Sequence, residues 1–195
     1  NNKAKSYGFS IAGTKVTEAN YDLLDKPSRY FPGVAANSIK YDPATKTLDM
    51  DRATIDGNIV NESNPGLRIR VSNDCKAKEV WAECNTTLIS INPRSNLHRL
   101  NVDGINIAGR ATLQNYVYLS TNFIHGRQAS TDVKNIARLC IKNDASGLWG
   151  KIKFEGGCDS GIMYDVRLVN IVDVDSELNI DTWHYLDGHW YEWWD

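Results

Sequence analysis

The stretch that decides the fold runs from Leu97 to Ile180 and opens with LHRLNVDGINIAGRATLQNYVYLSTNFIHG (residues 97–126). It is a series of short apolar strand cores, each closed by Gly, Asn or Asp. Several cores alternate apolar with polar residues, which is typical of strands with one buried face. Helical periodicity is nearly absent, so the sequence predicts an all-β protein.

The spacing of leucines in this stretch indicates stacked coils. Leu100 and Leu119 are 19 positions apart, Leu119 and Leu139 are 20 apart, and Leu148 and Leu168 are again 20 apart. A coil of a parallel β-helix takes roughly two dozen residues or fewer, and it buries its apolar side chains by stacking on the next coil. The spacing therefore predicts a right-handed parallel β-helix, a solenoid. A two-sheet β-sandwich is the alternative.

A chain of 195 residues is short enough to form one domain. Within a single domain 1–195 we predict three parts. Residues 1–60 form an N-terminal strand and hairpin cap, residues 61–180 form the solenoid coils, and residues 181–195 form an aromatic C-terminal cap.

The clearest local signal is SIKYDPATKTLDMD, residues 38–51. Alternating residues flank a Pro-containing turn with Asp42 at its first position, which predicts a hairpin. The segment Leu67–Val71, LRIRV, alternates strictly. It predicts a strand with its three apolar residues inward and its two arginines outward.

Two segments resemble the opening of a Bacteroidetes family of exported β-solenoid repeat proteins. Residues 9–17 read FSIAGTKVT and residues 39–55 read IKYDPATKTLDMDRATI. In that family a G-x-x-V-T strand and a Y-D-P-A-T-x-T-L-x-L hairpin precede the coils, and Leu67–Cys75 looks like its first coil. The resemblance implies a surface-exposed or periplasmic location and a loosely assigned carbohydrate binding. It supplies no catalytic residues.

Composition excludes several classes of function. The 22 basic and 24 acidic residues give a net charge of -2, and no dense Lys/Arg cluster indicates nucleic-acid binding. Apolar runs of only a few residues predict no transmembrane segment. No phosphate loop or nucleophile motif is present, so no cofactor is predicted. Because the chain begins at Asn1 without Met, we expect an exported protein whose leader has been removed.

The C-terminal segment 183–194, WHYLDGHWYEWW, holds four of the six tryptophans. Aromatic rings stack on the C–H faces of sugars while carboxylates accept hydrogen bonds from hydroxyls. Leu186-Asp187-Gly188 predicts a hairpin turn. The predicted ligand-binding residues are Trp183, Tyr185, Trp190, Tyr191, Glu192, Trp193 and Trp194. Alternatively, the same hairpin caps the open end of the solenoid.

The leading functional hypothesis is a non-catalytic binding or surface-interaction module with a glycan or polysaccharide as its partner. A carbohydrate-active enzyme, a lyase or hydrolase using Asp173, Asp175 or Asp181, is the second hypothesis. A structural adhesin or spacer segment is the third. His184 and His189 lack the spacing of metal ligands, so no metal site is predicted.

Four cysteines remain, and none lies in a Cys-x-x-Cys pair, which disfavours a zinc site. Either two disulfides, which could form in three pairings, or four buried thiols are therefore possible. We prefer Cys75–Cys84 and Cys140–Cys158, because each of these pairs closes a short loop.

Overall fold

The structure is a computed structural model, and it describes residues 4–27, 29–92, 97–108, 111–121, 123–126, 138–141, 147–149, 151–155, 164–169, 173–176, 183–186 and 189–192. Side chains are described for those of these residues up to 121, apart from Thr112, Tyr118 and Ser120.

Strands dominate the described residues, and the protein is therefore all-β. A single short 3-10 turn, Tyr21–Leu23, precedes Pro27. The strands are β1 (Ser6–Ile11), β2 (Thr14–Thr17), β3 (Ile39–Asp42), β4 (Thr47–Asp51), β5 (Ile59–Asn61), β6 (Leu67–Ser72), β7 (Asp74–Ala82), β8 (Thr86–Ser90), β9 (Arg99–Ile107), β10 (Thr112–Tyr116), β11 (Tyr118–Ser120), β12 (Phe123–Gly126), β13 (Arg138–Ile141), β14 (Gly147–Trp149), β15 (Lys151–Glu155), β16 (Tyr164–Val169), β17 (Asp173–Ser176), β18 (Trp183–Leu186) and β19 (His189–Glu192).

The strands form two mixed sheets. Sheet 1 has the order β17-β15-β12-β9-β7-β5-β1-β2, with β11 pairing β9 and β14 pairing β11. Sheet 2 has the order β18-β19-β16-β13-β10-β8-β6-β4-β3. From β4 to β9 the chain alternates between the sheets, so that each strand pairs in parallel with the strand two places along. Antiparallel pairs lie at both ends, at β1–β2, β1–β5 and β3–β4 and at β16–β19 and β18–β19.

Of the evenly spaced leucines, one pair lies in register as stacked coils would require. Leu100 and Leu119 are direct parallel partners, 19 residues apart. Leu119 then pairs with Leu148, 29 residues on, while Leu139 pairs with Leu113 in sheet 2. The distance in sequence between register partners therefore varies along the chain.

Apolar positions of successive strands stack into the core between the sheets. Buried residues that are register partners are Leu48, Ile69 and Leu88 in sheet 2 and Ile59, Val80 and Ile105 in sheet 1. Burying each such side chain contributes about 1.5–3 kcal/mol relative to exposure. Arg68 and Arg70 are exposed between buried neighbours, so the predicted alternation in β6 is confirmed.

The predicted hairpin is β3–β4, in which Asp42 pairs with Thr47. The Asp42 carboxylate accepts hydrogen bonds from the Ala44 backbone N–H at 2.9 Å and from the Thr45 hydroxyl at 3.1 Å. An Asp at the first position of a turn satisfies the turn's own polar groups in this way.

An aromatic cluster packs where the N-terminal strands meet sheet 2. The Tyr41 ring centroid lies 4.8 Å from that of Phe9 and 5.3 Å from that of Tyr7. Tyr21, from the 3-10 turn, meets Tyr7 edge-on at 5.6 Å. These contacts join β1 of sheet 1 to β3 of sheet 2.

The predicted Cys75–Cys84 disulfide is wrong, because both cysteines are free. Cys75 lies in β7, a single extended strand that continues to Ala82. The seven steps from Cys75 to Ala82 span roughly 23 Å, and the two further residues to Cys84 cannot return over that distance, whereas a disulfide requires Cα atoms within about 7 Å. The other preferred pair, Cys140–Cys158, lies outside the residues whose side chains are described.

Candidate functional site

The predicted C-terminal hairpin is present as β18 and β19. Trp183 pairs with Glu192 and Tyr185 pairs with Trp190 in antiparallel register. Directly opposite positions lie on the same face of an antiparallel pair. The hairpin therefore brings three aromatic positions and one carboxylate position to one face.

The other predicted ligand-binding residues are Tyr191, Trp193 and Trp194. Tyr191 is opposite His184, so its position lies on the other face of the hairpin. Trp193 and Trp194 lie outside the described residues.

The face that carries Trp190 can be followed into sheet 2. Trp190 pairs with Leu168 of β16. Leu113 is buried, and its register partner is Leu139. Cys140, the next residue, pairs with Arg167, and Leu168 follows Arg167. Successive strand residues alternate between faces. The Trp190 position is thus on the sheet face that buries Leu113.

The carboxylates proposed for an enzyme have lysine positions beside them. Asp173 pairs with Lys151 and Asp175 pairs with Lys153 in the parallel register of β15 and β17. Opposite charges at paired positions stabilise a sheet. Asp181, the third proposed acid, lies outside the described residues.

A group of side chains on the outer face of sheet 1 was not predicted from the sequence. It consists of Glu79, Trp81 and Asn106, and we call it the Trp81 surface. Trp81 is half-buried and pairs in register with Asn106. The Asn106 side-chain amide donates a hydrogen bond to Glu79 Oε1 at 2.8 Å. Although it lies on the outer face, Asn106 is only 7% exposed. The group thus places an indole ring beside a carboxylate held in position.

The backbone register extends this row of the sheet toward the C-terminus. His125 of β12 pairs with Asn106, and Glu155 of β15 pairs with His125. Hydrogen-bonding residue types therefore occupy the next two positions after Asn106.

A second polar group consists of Asn73, His98 and Asp51. It joins the corner between β6 and β7 to the residue before β9 and to the end of β4. The Asn73 backbone N–H donates to His98 Nδ1, and its side-chain amide donates to Asp51 Oδ1, both at 2.7 Å. Asn73 has φ of 60°, a left-handed conformation that Asn tolerates better than most residues. These hydrogen bonds give Asn73 a structural role, because they hold the corner between β6 and β7 against its neighbours.

The two free cysteines with described side chains are poor nucleophiles. Burial raises the pKa of Cys75, an effect that hydrogen bonds from the nearby backbone only partly offset. Burial likewise raises the pKa of Cys84. Because the thiolate is the reactive form, neither residue suits nucleophilic catalysis at neutral pH.

The part of the chain that the structure describes contains neither a three-ligand metal cluster nor a membrane-spanning helix. No cluster of three or more His, Cys, Asp or Glu side chains there could hold a metal ion. No helix in that part has the length and apolar character needed to cross a membrane.

Comparisons of the chain with protein-family models, with curated proteins and with solved structures give no match in any of the three.

Proposed function

We propose that the chain is a right-handed β-helix that serves as an exported, non-catalytic binding module for glycans. The scaffold proposal is supported by the parallel pairing of strands that alternate between two sheets, as stacked coils require. A β-sandwich would pair its strands mainly antiparallel.

The observation that carries the glycan proposal is the register of the C-terminal hairpin. Trp183 lies opposite Glu192 and Tyr185 lies opposite Trp190. Flat rings that stack on sugar C–H groups, next to a carboxylate that accepts hydroxyl hydrogen bonds, are the groups a sugar site needs.

The register of β17 supports a non-catalytic role. A glycosidase needs two carboxyl groups whose environments separate an acid from a base or nucleophile. Asp173 and Asp175 instead occupy positions that pair with Lys151 and Lys153, so the register gives the two acidic positions the same kind of neighbour.

A structural role is the second candidate, and it is supported by a separate observation. The Trp190 position continues the sheet face that buries Leu113. Rings on that face would cover the end of the core, as terminal repeats of solenoids do. The protein would then be an adhesin or spacer segment.

Glycan-array binding and thermal unfolding of the wild type and Trp190→Ala distinguish these candidates. For a hairpin glycan site, Trp190→Ala weakens glycan binding and keeps its melting temperature, while Tyr191→Ala, on the other face, keeps both. A large drop in melting temperature, with a wild type that binds no glycan, would establish the cap. Release of reducing ends from a polysaccharide panel would overturn the non-catalytic assignment.

A further inference from the structure

We propose a second sugar site at the Trp81 surface, distinct from the C-terminal hairpin and accepting neutral oligosaccharides. This inference takes its ligand class from the proposed function. It takes its location from side-chain contacts on the outer face of sheet 1.

The indole of Trp81 faces away from the core. Its neighbours in β7, Val80 and Ala82, are both buried in the core, while Trp81 is only half-buried. Alternation along the strand places Trp81 and Glu79 on the same outer face, about 7 Å apart along the strand. The exposed part of the Trp81 side chain therefore lies on the same face as a carboxylate, while the ring nitrogen Nε1 is buried.

Glu79 is held in place before any ligand arrives. Asn106, the register partner of Trp81, donates its amide hydrogen bond to Glu79 Oε1 at 2.8 Å. A carboxylate has about four acceptor positions, so this one bond leaves it able to accept hydrogen bonds from sugar hydroxyls. A side chain that is already ordered loses less conformational entropy on binding.

The charge of this surface selects among sugars. Glu79 is the only ionisable side chain among its three residues, and a carboxylate repels the carboxylate of an acidic sugar while it accepts hydrogen bonds from neutral hydroxyls. The site therefore favours neutral hexose or pentose units over uronic acids.

The register also indicates how a longer ligand would lie. His125 and Glu155 occupy the positions that follow Asn106 across the sheet. A chain of sugars crossing the strands from Trp81 would meet these positions next. Affinity should therefore increase with the number of sugar units.

Calorimetric titration with neutral gluco-, xylo- and manno-oligosaccharides of increasing length tests the proposal. In the Trp190→Ala background, which lacks the hairpin site, Trp81→Ala should weaken binding by about tenfold or more, because it removes both apolar contact area and the stacking platform. Glu79→Gln, which preserves the shape of the side chain, should weaken binding less. Tyr116→Ala is the matched control, since Tyr116 is a half-buried aromatic residue in the other sheet, and it should bind like the wild type.

The outcomes separate this site from the proposed function. Binding that persists in Trp81→Ala and Glu79→Gln but is lost in Trp190→Ala overturns the Trp81 site alone. A wild type that binds none of the oligosaccharides overturns both proposals, and stronger binding of oligouronates overturns the neutral-ligand assignment. If Trp81→Ala fails to fold, Glu79→Gln and Trp81→Phe test the site instead. The site would be contradicted if Glu79→Gln bound with the affinity of the wild type and if Trp81→Phe bound oligosaccharides of every length with the same affinity.

Discussion

The side-chain amide of Asn61 donates a hydrogen bond to the Thr86 hydroxyl at 2.8 Å, joining residues that are 25 positions apart in sequence. Both residues are 1% exposed. Asn61 also accepts the Asn64 backbone N–H at 3.0 Å, and Asn64 in turn donates to the Tyr41 hydroxyl at 3.1 Å. A buried polar network thus fixes the turn after β5 against the start of β8, and buried networks of this kind are stabilising only while every partner is present.

Asn61→Ala should therefore lower the free energy of unfolding by about 2–3 kcal/mol, because it leaves the Asn64 N–H and other buried groups without their partner. Urea unfolding measures this difference. Glu62→Ala, an exposed neighbour in the same turn, is the control and should stay within about 0.5 kcal/mol of the wild type. Equal effects at the two positions would contradict the buried network.

The same turn explains why a glycine is needed at position 8. Gly8 has φ of 80°, and a Cβ atom added there would lie 2.8 Å from the carbonyl carbon of Ser63. Gly13 has nearly the same conformation, φ of 85°, but an added Cβ would meet nothing within 4 Å.

Alanine at Gly13 should cost about 1–2 kcal/mol, the cost of a left-handed conformation for a residue with a Cβ. Gly8→Ala should cost about 1–3 kcal/mol more than Gly13→Ala, because the backbone of Ser63 must move. Thermal unfolding of the two variants measures the difference. Similar melting temperatures would mean that the backbones of Gly8 and Ser63 are not in close contact.

A pair of adjacent substitutions in β8 tests the alternation of its side chains. Leu88 is fully buried, whereas Ile89 is half-buried on the outer face. Leu88→Ala should cost about 2–5 kcal/mol because it leaves a cavity in the core, and Ile89→Ala should cost about 1 kcal/mol. The opposite ranking in urea unfolding would show that the strand is shifted by one residue.

Features set by nearby residues could be predicted from the sequence. The turn at Asp42 and the alternation in Leu67–Val71 depend on turn chemistry and on a period of two, and both are correct. The hairpin of Trp183–Leu186 and His189–Glu192 was predicted in the same way, from the Leu186-Asp187-Gly188 turn.

Register between distant strands could not be predicted, because one apolar alternation fits many partners equally well. Leu119 pairs with Leu148 rather than with the evenly spaced Leu139. The Trp81 surface was missed for the same reason, since Asn106 is 25 residues from its partner Trp81 and only the parallel register brings them together. The sequence also did not reveal that β7 extends the chain between two cysteines that were expected to pair.

Alkaline pH should destabilise the protein through two buried groups, Cys75 and Tyr41, and one half-buried group, Cys84. Burial raises the pKa of Cys75 and of Cys84, and it raises the pKa of Tyr41 more than the hydrogen bond from Asn64 lowers it. The folded state therefore keeps protons that the unfolded chain releases above about pH 8.5 for Cys and about pH 10 for Tyr. Stability from these groups is complete below those values and decreases as the pH rises through them.

Urea unfolding between pH 7 and about pH 10.5 should show this decrease, beginning near the ordinary pKa of a thiol, about 8.5. Cys75→Ala removes one of the titrating groups, so the loss of stability between pH 8 and about pH 10 should be smaller in the variant than in the wild type. At pH 8 a thiol reagent should modify the partly exposed Cys84 before the fully buried Cys75. Identical pH profiles for the wild type and Cys75→Ala, together with rapid modification of Cys75, would mean that this thiol is not shielded in the core.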